Sequence, residues 1–350
     1  MKSHLVRLIL LFILATGPTL FKVSGTASAL EPTPDTLMTQ GLHAYQRGSF
    51  DQALAAWKQA ADLYEQAGKI GEQSQALSRA AQASESLGQI SQALQQLELA
   101  LTLAQQTGDR IRIAVVLENL GRTYLAARKS DAAVHYLTQA LAMAQADEYP
   151  DKDRRLIAAI HNDLGIAHVA QQHDADALAA FSTSAQGAQA VHDLPLTVRA
   201  RINAARIELK LNHPNNVRDW LDLALGTLKD FEPSHDKAVN LVQVGLGYQR
   251  LRALMPAMNA PLLLRASGVL VEAATVAGQI ADARMRSYAD GYLGHLYETE
   301  YRFDEALHLT RQAVFSAQSA NAPESLFRWQ WQLGRLLAAT GKLDEAIASY

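Results

Sequence analysis

The residues that could do chemistry are eleven histidines, several paired acids and four tryptophans, and none stands at a spacing that a known reaction requires. His161 and His168 are seven apart and share a face if the segment is helical. No carboxylate completes a metal-binding set at that spacing, so they read as packed or solvent-facing rings. Asp304-Glu305 and Asp344-Glu345 are side by side, where they complement the start of a helix rather than form an acid–base pair across a cleft. "GLGYQ" (245–249) has two glycines but lies within a helical pattern, outside the setting of a phosphate loop. No H-E-x-x-H, G-x-S-x-G or dinucleotide fingerprint occurs. The absence of cysteine excludes disulfides, thiol catalysis, thiolate-held zinc, iron–sulfur clusters and cysteine lipidation. The expectation is therefore no catalytic residue, no cofactor, no metal and no enzyme within these 350 residues.

What must be positioned, then, is a surface, and the composition says on what. Hydrophobic residues make up 49% of the chain, it is rich in Ala, Leu and Gln, and it has ten prolines, which favours helix. A net charge of −3 gives none of the basic excess that a nucleic-acid-binding surface needs. Residues 1–29 stand apart. Lys2 and Arg7 precede an apolar run from Leu8 to Phe21, and Ala27-Ser28-Ala29 follows, the order of a secretory signal cut after Ala29. The other reading is an uncleaved anchor, but Gly17-Pro18 breaks the run short of the roughly 20 residues of a membrane span. Export to a periplasmic or external compartment is expected, with no membrane contact beyond the signal peptide.

From there on the chain repeats. "QGLHAYQRGSFDQALAAWKQAA" (40–61), "LGRTYLAARKSDAAVHYLTQAL" (120–141), "LGHLYETEYRFDEALHLTRQAV" (293–314) and the closing "LGRLLAATGKLDEAIASY" (333–350) share one order. A small residue recurs at Gly41, Ala81, Gly121, Gly165, Ala205, Gly245, Gly294 and Gly334, mostly forty apart. A Tyr follows three residues later at Tyr124, Tyr248 and Tyr297, and a second small column runs through Ala53, Ala93, Ala133, Ala177, Ala306 and Ala346. Small residues let paired helices approach while large ones fill the space beside them, and such pairs bury their apolar faces only by stacking. The spacing predicts an all-α superhelix, an α-solenoid of about eight helix–turn–helix units over 30–350. The units are placed at about 36–68, 72–108, 110–146, 153–192, 196–230, 236–279, 282–320 and 323–350. Unit six carries about nine extra residues around Pro256 and Pro261, expected as a lengthened surface turn or a partner-binding prong between its helices. Tyr350 falls in the aromatic column of unit eight, and the expectation is that the sequence is a fragment, with association possible through this truncated repeat.

These residues resemble the tetratricopeptide repeat, with its Leu-Gly, Tyr and Ala columns on two helices. The resemblance covers the chain from about Thr36 to Tyr350, although the period is forty and unit five, "INAARIELKLNHPNNVRDWLDLAL" (202–225), lacks the Gly and Tyr. It implies that first helices line a concave groove for a protein or peptide segment. Helical spacing from the small column puts Arg122, Arg206, His295 and Arg335 on that face, with Asn162, Arg199, Tyr288, Arg328 and Trp331 nearby. Ile166 with Ala159, and Val242 with Leu246, are expected as apolar patches. Asn119 and Asn203 precede the small residue, and the resemblance implies that an Asn there clamps ligand backbone.

The function expected is a non-catalytic, exported scaffold binding a protein or peptide. Two alternatives stand beside it. The array is also similar to the N-terminal arrays of exported bacterial proteins with a C-terminal caspase-like CHAT domain, which would make it a sensor arm. It also fits an envelope assembly factor.

Overall fold

The computed structural model describes residues 32–46, 49–145 and 150–349. The signal expected at 1–29 and the aromatic position at Tyr350 lie outside the described residues. Within them the chain forms consecutive helix pairs: α1 (Pro34–Gln46) with α2 (Phe50–Gln66), α3 (Ile70–Ser86) with α4 (Ile90–Thr107), α5 (Arg110–Ala126) with α6 (Ser130–Gln145), and α7 (Pro150–Ala170) with α8 (Asp174–Ala190). They continue as α9 (Leu194–Lys210) with α10 (Pro214–Leu228), α11 (His235–Leu254) with α12 (Asn259–Gln279), α13 (Ala283–Thr299) with α14 (Phe303–Ser319), and α15 (Pro323–Ala339) with α16 (Leu343–Ser349).

The forty-residue period comes from the turns. Left-handed backbone recurs every twenty residues at Gly68, Gly88, Gly108 and Arg128, then at Gln172, His192 and Asn212, then at Ala281, Tyr301, Asn321 and Gly341. Each marks a helix end closed by bonds such as Arg128 N to Leu125 O and Lys129 N to Tyr124 O, both 2.9 Å. A helix of 17 residues, as in α3 and α5, plus a three-residue turn makes half a unit.

Close packing explains the small column. A Cβ on Gly121 would lie 2.5 Å from Leu137, and one on Gly165 would lie 2.5 Å from Phe181; both partners stand sixteen residues further on. Gly245 meets Leu270 in the same way at 2.8 Å, the longer separation being the nine inserted residues. Unit five, lacking Gly and Tyr, is fastened differently. Arg201 is buried and donates to Leu223 O (3.0 Å), Thr227 Oγ1 (2.6 Å) and Gln189 Oε1 (2.7 Å), joining α8, α9 and α10.

The inserted segment of unit six is neither a lengthened loop nor a prong. It extends both helices, to 20 residues in α11 and 21 in α12, with a short 3-10 turn at Pro256–Met258 between them. Tyr248 and Leu251 continue the apolar helical pattern and are fully buried, and Pro261 falls in the first turn of α12, where its missing N–H costs little. Arg252 pairs with Glu300 and donates to Asn259 Oδ1 (2.8 Å), binding the extra turn to unit seven. Pro256–Gln279 is long and apolar enough to cross a membrane. In the fold its Leu262, Ala266, Leu270 and Ala273 are buried in the main apolar core.

From α3 to α15, first helices of adjacent units touch one another, while among the described residues no two second helices pack to that extent. Crowding one set and splaying the other curves the stack, which puts α3, α5, α7, α9, α11, α13 and α15 on the concave side.

Candidate partner-binding groove

A cleft of about 440 Å³ opens where α7, α9 and α11 meet. Its floor is apolar, formed by Ile166, Val169, Phe181, Ile207 and Leu209, and its polar rim is Asn203, Arg206, Lys210 and Arg250. Lys210 is neutralised by Asp174 at 2.7 Å. Arg206 and Arg250 have no carboxylate partner among the described residues, and Arg206 also borders a small continuation of the cleft beside Leu246 and Gly247. Arg199, two turns before Arg206 on α9, is exposed. Unpaired guanidinium groups over an apolar floor suit a ligand with an apolar anchor and a carboxylate.

A polar ladder leads into this cleft along the concave face. Gln82 Nε2 donates to Asn119 Oδ1 (3.3 Å), which also accepts from Arg122 (2.8 Å). Arg122 reaches Glu118 at 3.4 Å and Glu85 at 4.0 Å, and Thr123 donates to Glu85 (2.9 Å). Burial pushes the Glu118 carboxyl up to about 8, against the pull of Arg122 and with the help of the adjacent Asp163 carboxylate. Asn162 Nδ2 donates to Asp163 (3.1 Å), and Asn203 Nδ2 donates to Asn162 Oδ1 (3.2 Å), so the ladder ends on the cleft's own rim.

The other end of the concave face is already satisfied. Glu298 accepts from both arms of Arg335 (3.1 and 2.9 Å) and from the His295 ring (3.1 Å). Burial would raise this carboxyl, but the hydrogen bonds from His295 and Arg335 outweigh it and hold it below its ordinary range. Arg328 donates to Tyr292 Oη (2.7 Å) and lies over Tyr292 and Trp329. Tyr288 stacks near Tyr292 and meets Trp329 edge-on, both at 6.2 Å. Trp329 is buried and bonded to Ser287, whereas Trp331 is 53% exposed.

The sequence-derived positions thus divide. Asn203 and Arg206 stand together on the cleft, with Asn162 bonded behind them. Asn119 is buried, and Arg122 and Arg335, expected as free donors, are occupied by Glu118, Asn119 and Glu298. Val242, expected as part of a groove patch, is core, packed among Leu241, Val244 and Leu270. Lys210 and Arg250 were missed, although they are forty residues apart, one turn beyond the small column, and so share one repeat position. His168 meets not His161 but His173, across the turn to α8, with ring centroids 6.2 Å apart.

Residues 72–146 match the model of the tetratricopeptide repeat family. No curated protein is significantly similar to the chain in sequence. Among solved structures, a signal transduction ATPase with numerous domains and a tetratricopeptide repeat sensor, from Pyrococcus horikoshii, superposes with a TM-score of 0.64 at 14% identity, over 90% of this chain and 46% of that one. Aspartyl phosphate phosphatase F from Bacillus subtilis gives 0.55 at 13% identity, over 81% and 70%. A Rap protein complexed with competence and sporulation factor gives 0.54 at 14% identity, over 89% and 76%. These are likenesses of fold. With its matched segment, its helix pairs and its stacked small columns, the chain has the fold of a tetratricopeptide-repeat solenoid with long, forty-residue units, and over residues 72–146 its sequence is similar to that family.

Proposed function

We propose that the chain is a non-catalytic scaffold that holds a protein or peptide segment in its concave groove, seated on the cleft between α7, α9 and α11. One observation carries this reading: two arginines without acidic partners, Arg206 and Arg250, flank an apolar floor on the concave face. Arg122 and Arg335 on the same face are held by Glu118 and Glu298, whereas Arg206 and Arg250 stay available to a ligand at the cleft. The Rap protein of similar fold is complexed with competence and sporulation factor, which is in keeping with a solenoid used to bind. A random peptide library displayed on phage tests it. Selected peptides should carry apolar and acidic residues and should lose binding to the Arg206→Glu/Arg250→Glu double variant. Equal binding to that variant would remove the cleft as the site.

A second reading, a sensor arm of a longer protein, is supported by the Pyrococcus horikoshii likeness, in which the chain spans 46% of a protein with a repeat sensor. A CHAT domain as the partner of that arm rests on sequence resemblance alone. Export rests on the residues at 1–29, and N-terminal sequencing of the protein recovered from cell fractions tests it: a mature start at Leu30 outside the cytoplasm is expected.

A further inference from the structure

The repeat geometry brings three positions together at the turn inside each unit: one in the last turn of the first helix, one that starts the second helix, and one in its first turn. A left-handed residue between them folds the chain back. In unit five these are Glu208, His213 and Asn216. There His213 Nδ1 lies 2.7 Å from Glu208 Oε2, and Asn216 Nδ2 donates to Glu208 Oε1 at 3.0 Å. In unit seven they are Tyr297, Arg302 and Glu305. The guanidinium lies 4.2 Å from the tyrosine ring centre and donates to Glu305 at 2.7 Å. Both sets satisfy themselves.

Unit four places His168, His173 and Asp176 at the same three positions, with Gln172 as the left-handed residue. One ligand atom of each lies within 4.8 Å of the others. No hydrogen bond joins these side chains among the described residues, and His168 Nδ1 is enclosed without a partner. We propose that His168, His173 and Asp176 form a binding site for a divalent transition-metal ion of the zinc class.

Two imidazoles and a carboxylate are the nitrogen and oxygen donors that zinc takes, and imidazole disfavours calcium and magnesium. Three protein ligands leave a coordination position for water or for a group from a partner. The start of α8 is an unfavourable place for a cation, because the helix dipole is positive there. Asp174 and Asp176 in the first turn oppose that field, and Asp174 also neutralises nearby Lys210 at 2.7 Å. The site braces the α7–α8 turn next to Val169, on the edge of the cleft, and it does not depend on what that cleft binds.

Titration of the tag-free protein with zinc chloride tests this by calorimetry, with cobalt(II) absorption as a second readout. The expected result is one ion per chain, a rise in thermal midpoint that EDTA reverses, and at least a tenfold loss of affinity in His173→Ala and in Asp176→Asn. Both residues are exposed, so these variants should melt like the wild type without metal. His161→Ala should bind as the wild type does. No binding, or binding unchanged in His173→Ala and Asp176→Asn, would overturn the proposal.

Discussion

Gly165 and Phe181 meet so closely that a methyl group on the glycine would sit 2.5 Å from the ring. The same phenyl ring lines the candidate cleft, so one contact sets both the approach of α7 to α8 and the shape of the groove floor. Alanine improves helix propensity by up to about 1 kcal/mol over glycine, but overpacking costs about 1–3 kcal/mol. Gly165→Ala should therefore lower the urea midpoint. Gly268, in the middle of α12, has nothing within 4 Å of where its Cβ would lie, so Gly268→Ala should gain about 0.5–1 kcal/mol. Two changes of equal chemistry thus separate close approach from propensity.

The Glu118 carboxyl, raised from 4.5 to about 8 by burial, makes stability depend on pH. Between these values the folded chain keeps a proton that the unfolded chain releases. Its contribution is full below about 4.5 and is lost as the pH rises through about 8. Urea midpoints should accordingly fall from pH 5 to pH 8, and Glu118→Gln, which mimics the protonated group, should flatten that fall. An unchanged slope in the variant would place the effect elsewhere.

Ala281 holds a left-handed conformation at φ 55° that an L residue adopts at a cost of about 1–2 kcal/mol. Glycine relieves this but loses about 0.4–1 kcal/mol through the unfolded chain. Ala281→Gly should raise stability by about 0.5–1 kcal/mol, read from the same denaturation curves.

The Arg201 fork is satisfied by three neutral acceptors on two neighbouring helices, and burial lowers its pKa. A lysine keeps the charge but has no planar fork to bridge them. Arg201→Lys should cost about 1–3 kcal/mol, a buried group left partly unsatisfied. Arg199→Lys, on the exposed face of α9, should cost under about 0.5 kcal/mol.

The fold was legible because its tightest constraints are single residues. Gly121, Gly165 and Gly245 each face a large side chain, so their spacing recorded the period directly. The insertion was misread because prolines suggested a loop, whereas Pro261 sits where a helix tolerates it and Leu262 is core. The groove was legible only in part. Helical spacing finds which face a residue is on, and it found Asn203 and Arg206. Assigning a face does not assign a pair: it left Arg122 looking free although Glu118 stands one turn earlier on the same helix, and Arg335 looking free although Glu298 of α13 holds it. The His168–His173–Asp176 set was hidden for the same reason, since its members converge across a turn rather than along one helix.

The most direct test of the binding account is hydrogen exchange of the whole chain with and without a peptide selected on it. A ligand in the concave groove should slow exchange in α7, α9 and α11 around Ile166, Arg206 and Arg250 and leave α10 and α12 unchanged. Protection confined to the second helices, or absent from all three first helices, would contradict it.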